Sequence, residues 1–179
     1  RLVQCRPIWS LECYLWMLAP DGNAFPWTIK HTVTDPGELP DEKRFLREIR
    51  EAVGILDRVS KAPTIRSFCG PALLEPIPAG LLIHEAVGHR LEGNRLLSLE
   101  EGQTFRDSTG QPILPRFLSM RDDPRMERLD GKSLIGHYRF DDEGVVAQSA
   151  DLVQSGRLQG FLTTRTGIRR GHRSNGHAR

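Results

Sequence analysis

Two histidines and a glutamate with clear chemical potential stand in one short run, His84-Glu85-Ala86-Val87-Gly88-His89. Neutral imidazole nitrogens are common Zn2+ ligands, and an adjacent carboxylate can take a proton from a water that the metal polarises. The run therefore indicates a zinc centre with His84 and His89 as ligands and Glu85 as general base, later passing the proton to a leaving amine. The alternative is two unrelated histidines, one packed and one exposed.

The spacing of the two histidines is unusual for a helix. Side chains four residues apart lie about 40° apart around an ideal helix, whereas side chains five residues apart lie roughly 140° apart. A π-type widening brings positions i and i+5 together, and Gly88 could ease that distortion or end the helix. We therefore predict an irregular helix from His84 to His89.

Helices are predicted in two stretches around this motif. Asp41 is a plausible N-cap for an amphipathic helix that runs to about Ser60 and has a structural role. The motif itself lies on a helix from about Ala79 to Leu91. A short strand over Ala72 to Leu74 is expected to lead into it.

Strands are predicted at both ends of the chain. Residues 8–18 and Phe25 to Val33 flank the turn Pro20-Asp21-Gly22-Asn23, and Ser149 to Val153 pairs with Arg157 to Thr163 through Ser155-Gly156. The fold class is α+β, with mostly antiparallel β-sheet, an amphipathic helix and an HExxxH-bearing helix.

Composition excludes several classes of protein. The chain has 179 residues, about one domain, with 38% hydrophobic and 27% charged residues, which argues against a disordered or fibrous chain. A net charge of +2 gives no strong preference for nucleic acid or an anionic membrane. The apolar run from Ile8 to Ala19 contains Glu12 and is too short to cross a bilayer. No small-residue cleavage pattern follows it, so no signal peptide is expected.

Cysteines and arginines add two weaker indications. Cys5, Cys13 and Cys69 form no CxxC pair, and their odd number favours a reducing compartment, with the thiols as core residues or metal ligands. After Asp151 the chain has no acidic residue and many arginines, which is typical of a solvated tail rather than a polyanion site.

The residues around the motif resemble the TldD/PmbA family of metallopeptidases. The resemblance is carried by five segments: Gly70-Pro71-Ala72-Leu73-Leu74, His84 to Gly93, Tyr138 to Gln148, Gly156 to Leu162 and Asn175-Gly176. It is good over 66–179 and weaker over 38–65. Residues 1–37 are accordingly interpreted as the end of an N-terminal domain or a leading hairpin, and 38–179 as a partial metallopeptidase domain. A start at Arg1 suggests a fragment of a longer protein.

This resemblance implies a cytoplasmic zinc-dependent peptidase that hydrolyses unfolded or extended peptides. It implies that His84 and His89 bind Zn2+ and that Glu85 is the catalytic base. The expected partner is a second copy or a paralogous subunit of the same family, in a dimer. Neither a membrane nor a nucleic acid is an expected partner.

The sequence departs from the family pattern at two places. Asn94 stands where the family usually has an aspartate, and the family's third protein ligand, a downstream cysteine, has no counterpart after Cys69. Cys69, Glu92 and His137 are the possible substitutes. Cys69 is most simply a core thiol, and His137 a strand residue. Glu92 is most simply a surface residue or a support for a ligand.

Two rival functions therefore remain open. The first is a truncated or degenerate family member without catalysis that acts as a binding or regulatory subunit. The second is a module that contacts nucleic acid through its arginines, since the family also carries a label as a gyrase modulator. The acidic run Asp141-Asp142-Glu143 is either a loop that grips substrate or a solvated turn.

Overall fold

The computed structural model describes residues 3–98, 104–166 and 172–179. The chain divides into two compact units, and each is described by itself. The first contains Ala72–Glu127 and Gly136–Arg179 with the residues before Cys5, and the second contains Cys5–Pro71 with Arg128–Ile135. The predicted division at residue 37 stays a prediction. Among the described helices, none has the length and apolar character needed to span a membrane.

The second unit is built on a long hairpin and an amphipathic helix. Strands β1 (Trp9–Leu18) and β2 (Ala24–Val33) pair antiparallel from Trp9 opposite Val33 to Leu18 opposite Ala24. The intervening turn passes through Gly22 at a φ of 86°, a left-handed conformation that suits glycine. The hairpin predicted around this turn is confirmed.

Helix α1 (Glu42–Ser60) closes this unit. The Asp41 side chain accepts a hydrogen bond from the Arg44 N–H at 2.7 Å and caps the helix. Its buried face contains Ala52 and Leu56. The predicted helix is confirmed at both ends, because a capping side chain and a period of apolar residues are both local signals. The short strands β4 (Arg128–Leu129) and β5 (Lys132–Ser133) complete the unit.

The first unit packs around a small three-stranded antiparallel sheet. Strands β3 (Met120–Asp122), β6 (Ala150–Gln154) and β7 (Arg157–Leu158) lie in the order β3-β6-β7. One cluster of buried side chains forms its core: Val87, Leu91, Leu96, Ala150, Leu152, Val153, Leu158 and Phe161. Val87 and Leu91, which follow helix residues up to Ala86, therefore pack in the same core as the side chains of the sheet.

The β6–β7 hairpin turns through two left-handed residues. Ser155 and Gly156 have φ values of 47° and 78°, the pattern of a tight hairpin turn that matches the strand twist. The predicted hairpin is confirmed, although β7 ends at Leu158. Beyond it the chain leaves the sheet, and Leu162 pairs instead with Glu92 in an isolated parallel bridge.

Asn175 fixes the final residues of the chain to the same unit. Its side-chain oxygen accepts from the Thr163 N–H at 2.8 Å, and its amide donates to the Phe161 carbonyl at 2.9 Å. The Tyr138 hydroxyl donates to the Gly176 carbonyl at 2.9 Å. The Thr163 side chain is fully buried, and its hydroxyl donates to the Arg173 carbonyl at 3.2 Å and accepts from the Asn175 N–H at 3.0 Å.

One predicted strand is wrong. Residues Ala72 to Leu74 form no strand, and Leu73 is 99% exposed. The stretch has the sequence character of a short strand, but no neighbouring segment pairs with it within the described residues. The prolines at 71 and 76 also limit backbone pairing. The α+β class with mostly antiparallel sheets is confirmed.

Candidate metal centre

Helix α2 (Pro76–Ala86) carries the first half of the motif. Its first residue is a proline, which suits the start of a helix because no intrahelical partner awaits the missing N–H. The helix lies largely on the surface: the side chains of Ile77, Leu81 and Leu82 are more than half exposed. It begins and ends earlier than the predicted span of 79–91.

The helix breaks between the two histidines. Val87 caps α2 with φ and ψ of −125° and −48°, and a 3-10 helix (Gly88–Leu91) follows. The Arg90 guanidinium donates to the carbonyls of Glu85 at 3.0 Å and Ala86 at 2.7 Å. These bonds satisfy carbonyls that the ended helix leaves free. The predicted irregularity is confirmed, but its form is a break at Val87 rather than a π-type widening.

This break brings the motif's polar groups together. The rings of His84 and His89 meet edge to face, with their centroids 4.4 Å apart. One donor atom each from His84, Glu85 and His89 lies within 4.8 Å of the other two. In a tetrahedral Zn2+ site, ligands about 2.0–2.2 Å from the ion are separated by roughly 3.3–3.6 Å. The donors would therefore have to approach one another by up to about 1.5 Å, through side-chain rotation, to share an ion. Two imidazoles and a carboxylate also suit Zn2+ chemically.

A charged pair, Glu92 and Arg95, lies on the Nδ1 side of the His89 ring. Its Nδ1 lies 2.6 Å from Glu92 Oε1, and the Arg95 Nε donates to Glu92 Oε2 at 2.6 Å. Burial raises the pKa of the Glu92 carboxyl, but the hydrogen bonds from Arg95 and His89 outweigh it and lower that pKa below its usual value. Glu92 is therefore an ionised acceptor at neutral pH.

The opposite edge of the His89 ring faces the motif. His89 Nε2 is 3.7 Å from Glu85 Oε2, and the Glu85 side chain is 60% exposed. More than half of the surface of the Glu85 side chain is therefore open to solvent. His84 is exposed, and within the described residues its ring contacts only the ring of His89.

The three substitutes considered for a third ligand do not join this group of donors. Cys69 is exposed, so its interpretation as a core thiol is wrong. Cys5 is exposed and Cys13 partly exposed, and neither belongs to the core. Glu92 lies behind His89, on the Nδ1 side, which agrees with support for a ligand. His137 is partly exposed outside the group.

Two other sequence features have structural explanations. Asp141 is only 3% exposed and accepts hydrogen bonds from the backbone N–H groups of Glu143, Val145 and Ala178. Glu143 accepts from the Arg165 N–H at 2.6 Å. These two carboxylates therefore hold their own loop in place and are engaged with the backbone. Asn94 is exposed on a 3-10 helix (Gly93–Leu97).

Arg95 is the residue that the sequence analysis did not single out. Its spacing from Glu92, three residues, is one at which charged side chains meet on a helical turn. That spacing was a readable signal, but a Glu–Arg pair at such an interval is common on protein surfaces. Its relevance came only from the position of His89 on the far side of Glu92.

Comparison with known proteins identifies relatives of the chain. Residues 69–179 match the model of the PmbA/TldA metallopeptidase C-terminal domain. A metalloprotease of Synechocystis is 30% identical over 177 residues, which cover 96% of this chain and 36% of that protein. A protein of Saccharolobus solfataricus named a zinc metalloprotease TldD homolog is 32% identical over 95 residues, covering 53% of this chain and 20% of that protein.

A solved structure shows the same fold. The Thermotoga maritima protein described as a modulator of a DNA gyrase superposes with a TM-score of 0.58 at 21% identity. The match covers 93% of this chain and 36% of that protein. The chain therefore spans about a third of the length of the relatives that it matches over most of its own length.

Proposed function

This chain belongs to the TldD/PmbA family of metallopeptidases, and from that premise we propose that it hydrolyses unfolded or extended peptides with the help of Zn2+. His84 and His89 would hold the ion, and Glu85 would act as general base. The observation that supports this proposal is the convergence of their donor atoms within 4.8 Å. The proposed compartment is the cytoplasm.

In this proposal the two histidines bind the metal and Glu85 transfers the proton. Zn2+, when bound, supplies a Lewis acid that polarises a carbonyl and lowers the pKa of a coordinated water. Glu85 is exposed and near His89 Nε2, so its carboxylate can accept a proton at the site and return it to a leaving amine. The open surface of α2 leaves space beside His84 for an extended chain.

The test compares zinc binding with peptide cleavage in matched variants. Glu85→Gln should keep stoichiometric zinc and lose about 10²–10⁴-fold in the cleavage rate of an unstructured peptide, because the general base is removed while both imidazoles stay. His84→Ala and His89→Ala should lose zinc. Glu75→Gln is the control, because Glu75 is exposed beside the start of the same helix and caps it without a side-chain hydrogen bond. Undiminished cleavage by Glu85→Gln would contradict the role of Glu85.

A second candidate function is a binding or regulatory subunit without catalysis. It is favoured by the donor count: if Glu85 is the base, the group contains two protein ligands, whereas a catalytic zinc normally has three and a water. Stoichiometric zinc binding with no cleavage of any unstructured peptide would establish this candidate instead. We propose a dimer with a second copy or a paralogous subunit in either case, which light scattering on the purified chain tests.

A further inference from the structure

We propose that Glu92, anchored by Arg95, is a positioning residue that holds the proton of His89 on Nδ1 and presents its Nε2 to the metal centre. The part of this inference that concerns metal affinity rests on the proposed function. The part that concerns the ring and its proton does not, because it describes the metal-free chain.

The proton assignment follows from the contacts of Nδ1. Two groups compete for it: Glu92 Oε1 at 2.6 Å and an Arg95 guanidinium nitrogen at 3.2 Å. If Nδ1 accepted from Arg95, it would face an ionised carboxylate oxygen at 2.6 Å with no proton between them, which is repulsive. A proton on Nδ1 removes that repulsion and forms a short, charge-assisted bond. The lone pair of a neutral ring is then on Nε2.

The backbone of Glu92 is itself fixed to the core. Its neighbours Leu91 and Gly93 are buried, and both bond to Leu162: the Leu162 N–H donates to Leu91 at 2.8 Å, and the Gly93 N–H donates to Leu162 at 2.7 Å. Arg95 holds the second carboxylate oxygen. The backbone of Glu92 is therefore restrained by its neighbours, and its second carboxylate oxygen is restrained by Arg95.

The two histidines differ sharply in this respect. His84 is exposed on α2, and the described residues provide no hydrogen bond to its ring. His89 is two-thirds covered and is held through Nδ1. A carboxylate behind a metal-binding histidine fixes the ring's tautomer and orientation and raises its basicity. We assign His89 as the preorganised member of the pair and His84 as the member that adjusts.

The affinity test uses a matched pair elsewhere in the chain. Glu92→Gln should weaken Zn2+ binding about 10–100-fold, measured by competition with a chromophoric chelator. Glu48→Gln is the control, because Glu48 contacts a histidine (His31 Nε2, 2.6 Å) and an arginine (Arg44 Nε, 3.0 Å) in the same way, and neither His31 nor Glu48 belongs to the metal group. Affinity within threefold of wild type for Glu92→Gln, or an equal loss for Glu48→Gln, would overturn the proposal.

The proton itself can be located by nuclear magnetic resonance in the metal-free chain. Long-range 1H–15N correlations of the neutral His89 ring should show the proton on Nδ1 in the wild type. In Glu92→Ala the proton should move to Nε2, because Nδ1 is then free to accept from Arg95. A wild-type proton on Nε2 overturns the proposal. If Glu92→Ala does not fold, Glu92→Gln must show an increased Nε2–H population, and an unchanged one overturns the proposal.

These readouts separate the positioning role of Glu92 from the proposed peptidase activity. A chain that binds zinc tightly without cleaving peptides contradicts the proposed peptidase, yet leaves the role of Glu92 intact if the affinity and the tautomer respond as expected. A chain that cleaves peptides with unchanged zinc affinity in Glu92→Gln supports the peptidase and removes Glu92 from its positioning role.

Discussion

Gly156 is a residue whose missing side chain the fold requires. Its φ is 78°, and an added Cβ would lie 2.3 Å from the Leu114 carbonyl oxygen. Gly156→Ala combines a left-handed backbone cost with a backbone clash, so we expect a loss of roughly 3 kcal/mol or more in unfolding free energy. Chemical denaturation followed by circular dichroism measures this loss.

Gly110 provides the matched control for that substitution. It has a similar φ of 81°, but nothing lies within 4 Å of its added Cβ. Gly110→Ala should therefore cost only about 1–2 kcal/mol, the conformational part alone. Equal losses for the two variants would show that the close approach of Leu114 contributes nothing.

Tyr138 links stability to pH. Burial, followed by the charges of Asp122 and Asp141, raises the pKa of its phenol to about 12 from an ordinary 10.0. The folded chain then holds this proton more tightly than the unfolded chain, so the stabilisation is full below pH 10 and is lost as pH rises toward 12. We expect stability to fall more steeply between pH 9 and 11 in the wild type than in Tyr138→Phe. Denaturation at both pH values measures this, and equal slopes would contradict it.

At the scale of elements, the sequence predicted α1 and the motif helix with unequal success. The ends of α1 depend on Asp41 and on an apolar stripe, which act within the helix itself. The end of α2 depends on Val87 and Leu91 entering the core and on Arg90 capping the last carbonyls. The core contacts of Val87 and Leu91 involve residues distant in sequence, so periodicity alone predicts a helix that continues to Leu91.

The same contrast explains the stretch before α2 and the metal group. An apolar run such as Ala72 to Leu74 is compatible with a strand. A strand forms only where a second segment pairs with it, and the sequence pattern does not show whether such a segment is near. His84, Glu85 and His89 could be predicted as site residues because two histidines and a glutamate in this order are typical of a zinc site. Their distances, and the pair of Glu92 and Arg95 behind them, required the break in the backbone to be known.

Helix α2 should respond measurably to zinc. Its surface is largely exposed, whereas the 3-10 helix that carries His89 contributes Leu91 to the core. An ion shared by His84 and His89 would connect the exposed helix to the segment that Leu91 anchors in the core. At a zinc concentration about a hundred times the Kd, opening that breaks the site should become roughly a hundredfold rarer. Hydrogen exchange over residues 79–86 should slow accordingly.

A variant that lacks one ligand serves as the control for this exchange experiment. In His89→Ala, zinc should leave the exchange of α2 unchanged, because the second anchor is missing. Equal slowing in the wild type and in His89→Ala would show that zinc acts on this helix through some other contact.

At the scale of the whole molecule, the two units contain separate sets of buried side chains. All three tryptophans lie in strands β1 and β2 of the second unit. Tryptophan fluorescence therefore reports on that unit. Leu56 is 3% exposed on α1, and Leu56→Ala should lower the unfolding free energy seen by fluorescence by about 2–5 kcal/mol.

Leu46 on the same helix is the appropriate control for that substitution. It is 40% exposed, so Leu46→Ala should lower the unfolding free energy by only about 1 kcal/mol, less than Leu56→Ala. Similar losses for both leucines would mean that the face of α1 assigned to the core is wrong.

The break at Val87 explains the five-residue interval between His84 and His89. Because each histidine lies on a different side of the break, the interval measures a bend between two segments and not a fraction of a helical turn. Deleting one residue from 86–88 would restore the commoner four-residue interval on paper, yet it would also rotate the segment that carries Leu91 away from the hydrophobic interior. Insertions and deletions here should therefore be tolerated far less than substitutions, and searches for distant relatives should treat the interval as fixed.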